Sequence, residues 1–262
     1  MQEKEKKGSK NNSLDKALYL LSYFNYDRDT IGLSELSRIS DIPKATVYRT
    51  LSTLESRGYL QKVDVMGKES QYKLGLKFLE LGNIVSNNIE LKAIARPYME
   101  RLRSAINECS QLVVQSSDEA IYIEKLECSR PVKAYTRVGR RAPLYAGACP
   151  RAIFSFLPDE EIDKILSKVE LIKYTKNTVI DKDEIWKTIK ETRKLGYTIS
   201  YSELAEETYA IGAPIMDYTG NVAGSLSIVG PENRLNDDTI DLYVAEVLKA
   251  TRGISQALGY RG

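Results

Sequence analysis

A chain of 262 residues with 42% hydrophobic and 28% charged side chains is long enough for two compact domains, and nothing in it suggests a fibrous or bulk-disordered protein. The formal net charge of +2 gives no bulk argument for an acidic partner, and the complete absence of histidine removes Ser-His-Asp and Cys-His catalysis. Three isolated cysteines, Cys109, Cys128 and Cys149, make neither a disulfide framework nor zinc-ligand spacing, so no metal or cofactor is expected. No apolar run reaches the roughly 18 residues of a membrane span. Residues 1–12 lack the apolar stretch of a secretory signal and read as a solvated, disordered tail, which makes the cytoplasm the expected location.

Ser13 is available to cap a first helix in which Leu14, Leu18 and Leu21 recur at i, i+4 and i+7. Behind Gly32 and Ser34, a short second helix aligns Leu33, Leu36 and Ile39. "DIP" then interrupts, because the residue before a proline is pushed out of the α region, and Pro43 is tolerated in the first turn of a third helix ending near Gly58. "YLQKVDV" and "ESQYKLG" read as two extended runs about a Gly-containing turn. Three helices and a hairpin within residues 13–75 follow the order of a winged helix-turn-helix.

Residues 76–88 read as a linker helix and residues 89–262 as a second domain. Leu91, Ile94, Tyr98, Leu102 and Ile106 open that domain at helical spacing, with Pro97 predicting a kink or restart. "SQLVVQS" and "AIYIEKL" flank a turn, and "VKAYTRV" is a possible partner strand. Helices follow in "CPRAIFSFL", in "PDEEIDKIL" behind Pro158, and in "DEIWKTIKETRKLG" up to Gly196. "YAIGAPIM" and "VAGSLSIVG" form two β runs, and Ile240, Val244, Val247, Thr251, Ile254 and Leu258 mark a terminal helix. The expected class is α+β, an antiparallel sheet with helices packed on it.

The third helix carries the strongest functional signal. Val47, Leu51 and Leu54 share a core face, and Ala45, Arg49, Ser52 and Ser56 lie opposite, flanked by Thr46, Tyr48 and Thr53. Small residues allow close approach to a duplex groove, hydroxyls reach phosphates or base edges, and Arg49 suits a guanine or a phosphate. Lys44 and Thr46 fall in the first turn, where free N–H groups favour a phosphate. Ser34, at the start of the second helix, joins the DNA-binding candidates, as do Lys62, Lys68 and Gln71 on the hairpin. A solvent-facing helix and a solvated turn are the bland alternatives. Residues 1–75 hold 13 Lys+Arg against 10 Asp+Glu, an excess of the right sign for double-stranded DNA.

"GLSELSRISDIPKATVYRTLSTLESRGYL" resembles the N-terminal domain of the IclR family of bacterial transcription regulators. "GRRAPLYAGACPRAIFSFLP" and "KLGYTISYSELAEETYAIGAPIMDYTGNVAGSLSIVGP" resemble two segments of that family's C-terminal domain, and the likeness spans roughly residues 13–258. The resemblance implies a winged helix-turn-helix joined by a linker helix to a GAF-like effector-binding and oligomerisation domain. It further implies a homodimer or homotetramer on a DNA operator, as repressor or activator, switched by a small organic acid or aromatic effector. For the effector it implies Gly147, Ala148 and Cys149 at a helix start, with Ser200, Ala210 and Ser227 from the sheet; core packing is the alternative for each sheet position.

Departures from the family pattern gather at this pocket: Pro150-Arg151 replace Gly-Lys, Ala210 replaces a frequent Cys, Gly212 an Ala, Ser200 an Asp, and Val229 a Ser. Cys149, near Arg151 at a helix start, is expected either to have a lowered thiol pKa, as in a redox sensor, or to be a small buried lining residue. Two competing readings remain: an enzyme using Glu203, Glu206, Glu207 and Cys149, and a winged helix that binds protein rather than DNA.

Overall fold

The computed structural model describes residues 12–25, 27–64, 69–87, 90–134 and 136–262, and the chain divides into two compact units, one up to Asn88 and one from Ile89. Residues 1–11 of the expected tail, and Lys68, lie outside the described residues. Among the described residues no helix is long and apolar enough to cross a membrane.

The first unit contains α1 (Asn12–Leu21), β1 (Thr30–Gly32), α2 (Leu33–Ser40), α3 (Lys44–Ser56), β2 (Leu60–Val63), β3 (Gln71–Leu74) and α4 (Lys77–Asn87). Its core is built from Leu20, Phe24, Ile31, Leu36, Ile42, Val47, Leu51, Leu60 and Tyr72. Asp41 ends α2 in a left-handed conformation, and Pro43 stands one residue before the first turn of α3, at its N-cap. Leu14 and Leu18 do not face the core but are 57% and 59% exposed; Leu20 of α1 and Phe24 just beyond it enter the interior, with Leu21 packed against them. The expected hairpin forms, β2 pairing with β3, and β1 joins it to make a three-stranded antiparallel sheet of order β1-β3-β2, with Ile31 opposite Tyr72. Three residues are too few for β1 to display an alternating pattern.

The second unit opens with α5 (Glu90–Ile106), followed by β4 (Cys109–Ser116), β5 (Glu119–Leu126), β6 (Arg141–Pro143), α6 (Ala148–Phe154), α7 (Asp159–Lys168), α8 (Lys182–Leu195), β7 (Thr198–Tyr201), β8 (Thr208–Met216), β9 (Val222–Pro231) and α9 (Asp237–Ala257). The six strands form one antiparallel sheet of order β6-β5-β4-β9-β8-β7. Period-two alternation sorts the side chains to its two faces. Leu112, Ile211, Leu226 and Ile228 pack with Met99 and Leu102 of α5 and with Val247 and Ile254 of α9. Val113, Ala120 and Tyr122 pack on the other side with Ile153, Phe154, Ile162 and Ile189 of α6, α7 and α8. Burying those two apolar faces is the main stabilisation of the unit.

Helix ends follow local chemistry. Asp181 caps α8 by accepting from Asp183 and Glu184 N–H, and Gly196 ends it in the left-handed region, while Asn236 and Thr239 make a reciprocal capping box at α9. α5 runs through Pro97 without the restart allowed by the sequence, and Pro97 is on its exposed side. "VKAYTRV" supplies no strand among its described residues. Val132 and Val138 are exposed, and β5 is paired instead by β6, with Glu119 opposite Pro143.

Candidate functional site

The first candidate surface is built on α3. Val47 and Leu51 are fully buried, which turns Ala45, Arg49 and Ser56 outward, with Ser52 half-buried beside them. Tyr48 is 54% exposed, Thr53 is exposed and Thr46 is half-buried. Thr53 and Ser56 donate their hydroxyl protons to Arg49 O and Thr53 O, both at 2.9 Å, which leaves their lone pairs facing outward as acceptors. Arg49 pairs with no carboxylate among the described residues. One edge of Arg49 borders an open cleft of 800 Å³ between α1 and α3, where Ser13 and Lys16 face Thr46, Thr50 and Thr53. Ser13 and Lys16 are absent from the sequence candidates. The signal that finds them is tertiary, the crossing of α1 against α3.

Lys44 and Ser34 meet a partner that the sequence does not announce. Glu69, just before β3, accepts the Ser34 backbone N–H at 3.1 Å and the Ser34 hydroxyl at 2.8 Å. Lys44 Nζ donates to Ser34 Oγ at 2.6 Å and lies 3.3 Å from Glu69. The Ser34 hydroxyl, with its N–H and the Lys44 ammonium, holds the Glu69 carboxyl below its ordinary range. Lys44 is thus partly neutralised in place. Lys62 is exposed on β2, and Gln71 is half-buried on β3.

The second candidate is a cavity of 80 Å³ on the α6 side of the sheet. Alternation places Ser200, Ala210 and Ser227, on β7, β8 and β9, beneath the start of α6, and small side chains there leave room. Gly147, Ala148, Cys149, Ser200, Ala210 and Ser227, all named from sequence, line this one cavity. Gly147 has φ 78° and ψ 152°, a conformation that side chains with a Cβ avoid. At Gly212 a Cβ would lie 2.7 Å from Ala148 O, so the departure from Ala to Gly lets β8 touch the start of α6 directly.

Beside the cavity sits a buried ion pair. Arg151 donates to both Glu203 oxygens at 2.7 Å, to Thr198 Oγ1 at 2.9 Å and to Ile199 O at 2.6 Å, and Glu203 also accepts the Gly147 N–H at 3.0 Å. This corrects the redox expectation for Cys149. Arg151 is turned to Glu203, the Cys149 thiol lies 3.2 Å from Ser225 Oγ, and burial pushes it up to about 11. With the Arg151 guanidinium committed elsewhere and no second thiol beside it among the described residues, Cys149 lacks the activation a sensor cysteine needs and serves as a lining residue.

Two polar features of the cavity remain open. Ser227 is fully buried and its hydroxyl has no hydrogen-bond partner among the described residues. Arg140, which the sequence reading passes over, lies on the wall with its guanidinium 5.7 Å from the Tyr122 ring centre. Gln111 and Thr208 add polar groups around them. Cationic, hydroxyl and aromatic surfaces around a small space suit a carboxylate on a short or planar body. No group of three or more metal-ligating side chains occurs among the described residues.

Comparison with known proteins follows the same division. Residues 13–64 match the IclR helix-turn-helix domain, and residues 84–256 match the bacterial transcriptional regulator IclR C-terminal domain. The HTH-type transcriptional regulator KipR of Bacillus subtilis (strain 168) is 41% identical over 252 residues, covering 96% of this chain and 99% of KipR. The crystal structure of Thermotoga maritima IclR is similar with a TM-score of 0.76 at 25% identity, over 95% of this chain and 99% of that one. An IclR homologue from Microbacterium hydrocarbonoxydans, crystallised with 4-hydroxybenzoate, gives a TM-score of 0.80 at 25% identity, over 94% and 98% of the two chains.

Proposed function

The chain belongs to the IclR family of bacterial transcriptional regulators, and from that premise we propose how it reads DNA and what controls it. Its α3 enters the major groove of a near-palindromic operator, one helix per half-site, with half-sites about a helical turn or more apart. The observation that carries this reading is Arg49, exposed and without a carboxylate partner among the described residues, at the centre of a small-residue stripe opposite Val47 and Leu51. Ala45, Ser52 and Tyr48 meet base edges or sugars, and Thr46 and Thr53 face the phosphates. Lys44 at the start of α3, Ser34 on α2, and Lys62 and Gln71 on the small sheet border that surface, and Lys68 is a further phosphate candidate from the sequence.

A homodimer or homotetramer supplies the paired helices. Leu14 and Leu18 on α1, and Leu79 and Ile84 on α4, are 57%, 59%, 61% and 59% exposed, apolar area that a second chain would cover. The effector is a small organic acid or aromatic carboxylate in the C-terminal cavity, its charge met by Arg140 and its oxygen by the Ser227 hydroxyl. Gly147, Ala148, Cys149, Ser200 and Ala210 complete the wall, and the 4-hydroxybenzoate of the Microbacterium homologue supports this ligand class. At 80 Å³ the cavity favours a ligand of few heavy atoms or one that parts Arg140 from Tyr122. The protein is cytoplasmic and not an enzyme in this reading: Glu203 is tied to Arg151, and burial pushes the Cys149 thiol up, away from the thiolate a nucleophile needs.

Fluorescence anisotropy with DNA from upstream of the protein's own gene, at several salt concentrations, tests the DNA reading. Specific binding should fall steeply with salt, and Arg49→Ala should weaken it markedly while keeping its oligomeric state. Normal binding by that variant would mean α3 is not the reading helix. A thermal-shift screen of small carboxylates tests the effector, since a ligand that binds only the folded state raises Tm. No shift with any acid, or an equal shift in Arg140→Ala, removes the carboxylate assignment.

A further inference from the structure

The second unit holds a pair of thiols that the regulator reading leaves unused. We propose that Cys109 and Cys128 are a modification site, joined into an intramolecular disulfide by hydrogen peroxide. Cys109 begins β4, and Cys128 lies two residues past the end of β5. The two strands are antiparallel, with Ser110 opposite Leu126, so their pairing brings both cysteines to the same end of the ladder. Their sulfurs are 3.0 Å apart, and the Cys128 N–H points at Cys109 Sγ from 3.2 Å. Both residues are buried, at 5% and 4% exposure. Bonding needs the sulfurs to close by only about 1 Å.

A second observation limits the oxidant to a small polar molecule. Cys109 lines a pocket of 20 Å³, room for one molecule of about the size of water. Ser110 and Thr136 line the same pocket, and their buried hydroxyls have no hydrogen-bond partner among the described residues. A small polar molecule with donors and acceptors satisfies them: water does, and peroxide, slightly larger, can take its place, whereas a bulky disulfide oxidant is shut out. Cys109, as thiolate, attacks one peroxide oxygen, the O–O bond breaks, and hydroxide leaves and is protonated to water. The sulfenic acid so formed on Cys109 is attacked by Cys128 Sγ, and a second water leaves with the Cys128 proton. Two thiols lose two electrons to one peroxide, giving one disulfide and two waters. Burial pushes the Cys109 thiol up to about 11, so thiolate is scarce and the reaction takes on the order of hours, not seconds.

The bond would not be isolated from the larger cavity. Val229, Ala134 and Ala210 pack against the two cysteines and also line the 80 Å³ space. Oxidation therefore draws on the same wall that shapes it.

The test is made on the full-length protein, incubated with hydrogen peroxide, denatured, alkylated and digested with trypsin without reduction. The expected product is a cross-linked pair of peptides, residues 104–125 with 126–133, lighter by two hydrogens than the free pair and separated again by dithiothreitol. Cys149→Ser should give the same cross-link, while Cys128→Ser should give none and leave Cys109 as an oxyacid. Full alkylation of all three thiols after peroxide overturns the proposal. So does a cross-link that runs between chains or through Cys149.

Discussion

Two ion pairs, one in each unit, make the same local arrangement under opposite conditions. Glu69 accepts the N–H of Ser34 and faces Lys44; Glu203 accepts the N–H of Gly147 and faces Arg151. The Lys44 and Glu69 side chains keep 57% and 41% of their exposure, the Arg151 and Glu203 side chains only 4% and 9%. Water screens the first pair, so it contributes within about 1 kcal/mol and exchanges readily for another anion. The second pair has no water to fall back on, and a broken buried pair leaves a charge in a poor dielectric. Proteins can hold a carboxylate near a helix start for either purpose. Here the surface proposed to meet DNA keeps its contact exchangeable, whereas the pair beside the cavity, which holds the Gly147 N–H, is locked.

The largest test of that contrast is Glu203→Ala. It should lower the unfolding free energy by about 3–5 kcal/mol in urea denaturation, because Arg151 is left buried and unpaired. A loss below about 1 kcal/mol would put this pair in the exposed class and dissolve the distinction. Next in size is Arg49→Ala, expected to weaken operator binding by roughly 5- to 150-fold at fixed salt with an unchanged circular dichroism spectrum. Ser227→Ala sharpens the cavity side. Without ligand it should be as stable as the parent or up to about 1 kcal/mol more so, since an unsatisfied buried hydroxyl is removed, yet its Tm rise with a bound acid should shrink.

Glu69→Gln should have the smallest effect. Lys44 is released, so operator affinity at low salt should rise a few-fold and the salt slope steepen by about one phosphate contact. The acid range gives the same information without mutation. The Glu69 carboxyl is held below its ordinary value by Ser34 and Lys44, so its anchoring is complete above that value and is lost only as pH falls through the lowered one. Between neutral pH and the ordinary carboxylate range, binding should not change through this group. A change there would mean a different titration controls the hairpin.

Legibility in the sequence tracked how local the cause was. α8 is readable because Asp181 and Gly196 cap it, and α3 because Val47 and Leu51 repeat with the helical period. The face of α1 misleads in part: of three leucines in register only Leu21 packs on the core, and Leu20 and Phe24 fill the interior. β1 and β6, of three residues each, are too short to carry a pattern. The lining of the cavity was named through resemblance, and its small side chains explain why it is hollow. Its charges were not readable in the same way. Arg151 turns toward Glu203, 52 residues further on, and Arg140 belongs to a stretch with no period at all. Partners distant along the chain decide pKa values and free guanidinium groups, and spacing says nothing about them.

Gly212 has a mechanical consequence. With no Cβ between them, the backbone of β8 bears directly on Ala148, like stone on stone with no packing between. Gly212 stands opposite Ser227 in the β8–β9 ladder, and the neighbours of Ser227, Leu226 and Ile228, press on the layer that α5 and α9 form behind the sheet. A molecule lodged under Ala148 has no soft side chain there to compress, so any thrust it delivers passes into the sheet undamped.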